Sequence, residues 1–318
     1  MMKFKSSFAS RLDDFISYLE AFSKNRQKYY YSRLFDDYWS NNDYPPDLTK
    51  YHLKAWVRQE EGESIARQNR RISLARQFGL FLQSEGLLNQ YILPQRLCAK
   101  VPYYSPHFFT DDELIRFFAE CKKLNPILHA PHQHLVIPQL FSTIYCCGLR
   151  PGEARMILVE NVNLVEGWID IKGTKTYRDR RLPISKILQE ELLNYDAVMK
   201  KRLKGRKFFF PVKLTTCYPK EFSKIFKSIL NDAGIFSTKE DRIRLYDLRH
   251  HFAFSNFNRW TTEKKDIDAL FPFLQRYMGH ASTLSTEYYI HLVPEFFPSF
   301  STITRSLESN LPEVKHEN

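Results

Sequence analysis

Trp168-Ile169-Asp170-Ile171-Lys172 and Arg181-Leu182-Pro183-Ile184 flank the polar stretch Gly173-Thr174-Lys175-Thr176-Tyr177-Arg178-Asp179-Arg180. Alternation puts successive side chains on opposite faces of an extended chain, so the two runs predict strands joined by a polar hairpin turn. Around this hairpin the apolar period is helical. Helices are predicted at 111–123, about 135–147, 152–158, 185–202, 219–233, 245–258 and 267–277, with a short one around 284–290. Phe296, Phe300, Ile303 and Leu307 share one face of a last helix. Thr110-Asp111-Asp112-Glu113 supplies a capping box for the first of these. A small antiparallel sheet among helices makes this part α+β.

Upstream, periodicity fails between Pro94 and Pro106, and Lys100-Val101-Pro102-Tyr103-Tyr104-Ser105-Pro106 predicts an extended linker. A domain boundary therefore falls near 105. Before it, Leu12, Phe15, Ile16, Leu19 and Phe22 mark an amphipathic helix. Helices at 29–39 and 48–57 are separated by Asn41-Asn42-Asp43-Tyr44-Pro45-Pro46, and a fourth at 64–84 stops at Gly86. Residues 1–105 thus form a helical bundle, residues 106–318 a second domain, and the fold class is mainly α with a small antiparallel β-sheet. Arg67, Arg70, Arg71 and Arg76 on the fourth helix can follow a phosphate backbone, and a solvated basic face accounts for them equally well.

The 318 residues are 43% hydrophobic and 15% aromatic, which provides for packed cores and excludes a disordered or collagenous chain. No run of 18 apolar residues occurs, since Pro138 and Gln139 interrupt the best stretch, Leu135 to Leu149, so no membrane partner is expected. The first residues lack an apolar core ahead of Asp13, and the five cysteines form no C-x-x-C pair. Together these predict a chain without a secretory signal, holding reduced thiols in the cytoplasm. Cys121, His129, His132 and His134 match no zinc spacing, and no metal is expected. Lys and Arg outnumber Asp and Glu by 47 to 36, a net charge of +11 that favours a polyanionic partner.

Four segments carry residues suited to phosphate chemistry. In Gly148-Leu149-Arg150-Pro151-Gly152-Glu153, Glu153 lies three residues beyond Arg150 and can orient its guanidinium, the natural fork for two phosphate oxygens. Alone, an Arg answering a helix dipole explains it as well. The hairpin places Lys172 and Lys175 where an ammonium can protonate a leaving oxygen, or merely decorate a solvated turn. In Tyr246-Asp247-Leu248-Arg249-His250-His251, Tyr246 and Arg249 share a helix face. In Met278-Gly279-His280-Ala281-Ser282-Thr283-Leu284-Ser285-Thr286-Glu287-Tyr288-Tyr289-Ile290-His291, His280 and Tyr289 would stand roughly 13 Å apart on one helix. They converge only if the chain turns, which the Ser/Thr-rich segment permits.

In this order the segments resemble those of the tyrosine recombinases, or phage-type integrases. Those proteins carry an Arg in a G-L-R-x-x-E box, a hairpin Lys, an H-x-L-R-H box, a G-H box, and a Tyr nine residues later. The matches here are Arg150 with Glu153, Lys175, Arg249 with His250, Gly279-His280 and Tyr289. Lys175, eight residues before Pro183, fits the family register better than Lys172. Tyr246 stands where the family usually has His, and a phenol of pKa about 10 can donate to a phosphate but cannot titrate like an imidazole.

The resemblance implies an N-terminal core-binding domain, a C-terminal catalytic domain, and a C-shaped clamp on double-stranded DNA with paired half-sites. It further implies a monomer in solution that forms a homotetramer on DNA, associated with the nucleoid, with the final helix docking onto a neighbouring protomer. Tyr289 would attack the scissile phosphate to give a 3′-phosphotyrosine, and a Holliday junction would form between two strand exchanges. Arg150, Arg249, His280 and Tyr246 would contact the phosphate, and Lys175 would protonate the leaving 5′ oxygen, with no cofactor or metal. A catalytically impaired DNA-binding protein of the same fold, suggested by Tyr246, and type IB topoisomerase-like relaxation are the alternatives.

Overall fold

The computed structural model describes residues 4–22, 26–97, 104–173, 179–238 and 242–279. The chain divides into two compact units, Met1–Tyr104 and Ser105–Asn318, each with its own core. No described helix is long and apolar enough to cross a membrane.

The first unit contains α1 (Ala9–Phe22), α2 (Arg26–Asn41), α3 (Lys50–Trp56) and α4 (Ile65–Ser84), with a 3₁₀ turn at Gln95–Leu97. Thr49 and Ser64 cap α3 and α4 by accepting from the backbone N–H groups of His52 and Arg67. Packing is aromatic: the ring of Phe78 lies 5.2 Å from those of Phe8 and Phe15 and 5.6 Å from Phe35. A Cβ at Gly79 would lie 2.9 Å from Ile92 Cδ1 and 3.5 Å from Tyr91 O, so the segment after α4 runs close against this glycine.

Among the four arginines read as a phosphate track, Arg71 is corrected. Its side chain is 2% exposed, bonds both Glu63 carboxylate oxygens at 2.7 and 2.6 Å, and donates to the carbonyls of Trp56 and Arg58. Helical period explains this, since Arg71 shares its face with buried Leu74, Ala75 and Phe78. Arg67 and Arg70 are exposed, and the half-buried Arg76 donates to the Leu93 carbonyl.

In the second unit, α5 (Asp111–Cys121) starts with the Thr110–Glu113 capping box. α6 (Gln133–Cys147) is apolar nearly all round and central, packing against α5, α8 (Lys186–Arg202) and α10 (Asp247–Thr262). β1 (Val162–Asn163), β2 (Trp168–Ile171) and β3 (Arg180–Pro183) form an antiparallel sheet in that order, with Ile169 opposite Leu182. α9 (Ser223–Asp232) packs on α5, and α11 (Ile267–Met278) on α10.

The helix expected at 152–158 is α7 (Pro151–Ala154) alone. Beyond it the backbone is drawn into strand-like pairing, with Ile157 O accepting from Phe209 N and Val159 N donating to Lys207 O. A second hairpin, β4 (Pro211–Lys213) with β5 (Thr216–Cys217), stands where no strand was expected. The helix expected from 219 begins as a 3₁₀ turn at Lys220–Phe222 and becomes α-helical at Ser223. The elements expected at 284–290 and 296–307 lie outside the described residues.

Candidate active site

α6 ends at Gly148, whose φ of 56° turns the chain out of the helix. A Cβ there would stand 2.3 Å from the Phe252 ring of α10, so the turn requires glycine twice over. Two residues later Arg150 caps α7, with Pro151 opening the helix and Glu153 at its third position. Glu153 accepts from the Arg150 backbone at 3.2 Å and from Arg150 Nη1 at 2.7 Å. Arg150 keeps a side-chain exposure of 27%.

Arg249, in the first turn of α10, is fully buried and joins two helix ends. Its Nη1 donates to Gly148 O at 2.6 Å and its Nη2 to Met278 O at 2.8 Å. Arg150 Nη2 donates to the next carbonyl, Gly279 O, at 2.8 Å. Arg180, the first residue of β3, donates from Nε to the preceding one, Tyr277 O, at 2.8 Å. Three consecutive carbonyls at the C-terminus of α11, which the helix itself leaves without partners, each receive an arginine N–H. Arg180 also donates to both Glu153 oxygens, at 3.3 and 2.8 Å.

Burial alone would raise the Glu153 carboxyl, but the hydrogen bonds and charge of Arg180 and then Arg150 hold it below the ordinary carboxylate range. Burial would likewise lower Arg150, and Glu153, with a smaller part from Tyr246, holds it above the usual guanidinium value. Tyr246 stands beside the pair, its ring centroid 5.9 Å from Arg249 Cζ and 5.1 Å from the His250 ring. His250 is pushed down to about 4, first by burial and then by the charges of Arg249 and Arg244. Two guanidinium groups on the Glu153 carboxylate, with Arg249 beside them, leave this corner cationic, and it opens on a cavity of about 640 Å³ lined by Arg150, Glu153, Asp170, Lys172, Lys207 and Phe208.

The structure therefore gathers Arg150, Glu153, Tyr246, Arg249 and His250 from segments far apart in the chain, and sets Lys172 in the lining of the adjoining cavity. Lys175, His280 and Tyr289 lie outside the described residues. Arg67, Arg70 and Arg76 belong to the other unit. Arg180 was missed in the charged run around it, although strand alternation offered a signal: Arg180 shares the face of buried Leu182, and Arg181 points away to Asp170.

The phage integrase family model matches residues 107–295, more than half of the chain. The chain belongs to the phage integrase family. Every family box described above falls within that match. A putative integrase/recombinase of Sinorhizobium fredii, y4rE, is 28% identical over 189 residues, 58% of this chain and 59% of that protein, so the chain spans less than two thirds of that relative. Tyrosine recombinase XerA of Pyrococcus horikoshii is 25% identical over 291 residues, 87% of each chain. The fold is shared with a crystal structure of XerH site-specific recombinase bound to palindromic difH substrate in a post-cleavage complex, at 18% identity and a TM-score of 0.64, covering 86% of this chain and 78% of that one.

Proposed function

We propose that this member of the family is a site-specific DNA recombinase working through a 3′-phosphotyrosine intermediate. The observation that carries the reading is the arginine-lined corner at the end of α11, which holds Arg150, Glu153 and Arg249 together and leads directly into the sequence bearing His280 and Tyr289. A guanidinium has five N–H donors, and the bonds to Glu153 and Gly279 engage one on each terminal nitrogen of Arg150. Its outer edge is thus preset for phosphate oxygens, and the low Glu153 carboxyl keeps that orientation at neutral pH.

In this scheme the Tyr289 oxygen gives up its phenolic proton to solvent and bonds the scissile phosphorus, the bond to the 5′ oxygen breaks, and Lys175 protonates that oxygen as it leaves. Arg150 and Arg249 balance the charge that builds on the non-bridging oxygens, Arg249 making its contact in the DNA-bound arrangement. His280 donates to the same phosphate, and Tyr246 supplies a hydroxyl where the family usually has an imidazole. The retained ester stores the bond energy, so rejoining needs no cofactor. Double-stranded DNA with paired half-sites is the substrate, a tetramer the working assembly, and the cytoplasm, at the nucleoid, its place. Residues 1–105 act as the core-binding domain and 106–318 as the catalytic one, with Arg67, Arg70 and Arg76 as backbone contacts.

A suicide duplex nicked beside the cut site tests this. Wild type is expected to form a covalent protein–DNA adduct, and Tyr289→Phe none. Adduct formation by Tyr289→Phe with loss in Tyr288→Phe overturns the choice of nucleophile. Relaxation of supercoiled plasmid without paired sites favours a topoisomerase instead.

A further inference from the structure

One cation in the assembled corner has no task in that scheme. Arg180 has a side-chain exposure of 7%, and its Nε and both terminal nitrogens are taken by Tyr277 O and the Glu153 carboxylate, so its charge is spent within the protein. Each Glu153 oxygen accepts one hydrogen bond from Arg150 and one from Arg180. Arg180 Nε holds Tyr277 O, and a Cβ on Gly279 would stand 2.8 Å from Arg180 Nη1, so the glycine turn is shaped around this guanidinium. A single side chain therefore ties β3, α7 and the last turn of α11 to one another.

Resting on the recombinase reading, we propose that Arg180 is a positioning residue of the strand-transfer site: it fixes Glu153 against the end of α11, and so sets the orientation in which Arg150 meets the scissile phosphate. Without Arg180, the buried Glu153 carboxylate keeps only one cationic partner. It is then free to take both terminal nitrogens of Arg150, which rotates the guanidinium edge away from phosphate. The Tyr277–Gly279 carbonyls also lose one of their three donors, immediately before His280 in the chain. A lysine at 180 retains the charge but has no planar fork, so it cannot bond both carboxylate oxygens and a carbonyl at once.

Full-length Arg180→Met and Arg180→Lys are compared with wild type on the nicked duplex. The rate of covalent trapping at saturating protein is expected to fall about tenfold to hundredfold, as for residues that orient a reactive group through another. The Kd for the duplex and its salt dependence stay within about threefold of wild type, because no phosphate contact is lost. The double variant Arg180→Met/Glu153→Gln is expected to be no slower than the slower single variant, since the two act as one unit. Wild-type trapping in both Arg180 variants, or multiplied losses in the double variant, overturns the proposal.

Should Arg180→Met fail to fold, Arg180→Lys carries the test. The recombinase reading and the positioning role are separated by arginine Nη–H resonances of the DNA-free protein. Wild type is expected to show a sharp, slowly exchanging Arg150 signal that broadens in Arg180→Lys. An unmoved Arg150 signal overturns the positioning role whatever the DNA assays give, whereas absence of any wild-type adduct overturns the recombinase reading alone.

Discussion

His250 and His251 sit side by side on α10 next to the buried Arg249, and both are held down to about 4. Burial is the main cause for each. Arg249 and Arg244 add to it for His250, and for His251 the weaker pull of Asp111 runs the other way. His251 is packed on the Tyr145 ring and lies 2.9 Å from Ser255 Oγ, so it is built in as a neutral ring. An unfolded chain takes up these protons near pH 6.5, whereas the folded chain does so only near 4, so stability rises with pH across that window. The contribution is complete above about 6.5 and is lost as pH falls toward 4, on the order of 3 kcal/mol per ring at the full shift. Melting temperature is therefore expected to drop from pH 6.5 to pH 4, with about half the drop in His251→Gln. An equal slope in that variant rejects the assignment. Glu153 opposes none of this near neutrality, since its carboxyl lies below its ordinary range and titrates at the acid end.

At the level of elements, α4 shows how one helix separates arginines with different work. Arg71 lies in line with Leu74, Ala75 and Phe78 and neutralises Glu63 inside the first unit, while Arg70 faces solvent. Breaking a buried ion pair strands its partner, so Arg71→Met is expected to cost about 3–5 kcal/mol in chemical denaturation. Arg70→Ala is expected to leave stability within about 0.5 kcal/mol and to reduce the slope of log Kd against log salt by about 1. Equal stability losses in the two variants reject the division. Helical period contained the information that Arg71 points inward, in line with Leu74, Ala75 and Phe78, but charge masked it. The β4–β5 hairpin escaped notice for another reason, because strands of two or three residues are too short to display alternation. α7 ended early because Phe209 and Lys207, about fifty residues downstream, bind the backbone that would have continued it.

For the molecule as a whole, each unit buries its own apolar set: Phe8, Phe15, Phe35 and Phe78 in the first, Phe117, Phe141, Leu192 and Phe226 in the second. Residues 106–318 expressed alone are expected to fold and to form the Tyr289 adduct on the suicide duplex. Their affinity should be at least tenfold weaker, because the phosphate contacts proposed for residues 1–105 are gone and each neutralised phosphate adds affinity. Measuring adduct yield against protein concentration checks this, and an unchanged half-saturation point removes the DNA-binding role from the first unit.

Helical period, the capping box at Thr110, the glycine stops and the Trp168–Ile184 hairpin were legible in the residues alone, as were Arg150 with Glu153, because all of these express interactions within a turn or two of chain. Which arginines are buried and which carbonyls they bind were settled by folding. Arg180 is 27 residues from Glu153 and 97 from Tyr277 along the chain, and Arg249 is 101 from Gly148. Local sequence carries no record of such distances; they close only when α6, α10, α11 and the sheet pack their apolar faces together, and the need to satisfy polar groups carried inward by that packing then dictates the arginine pairs.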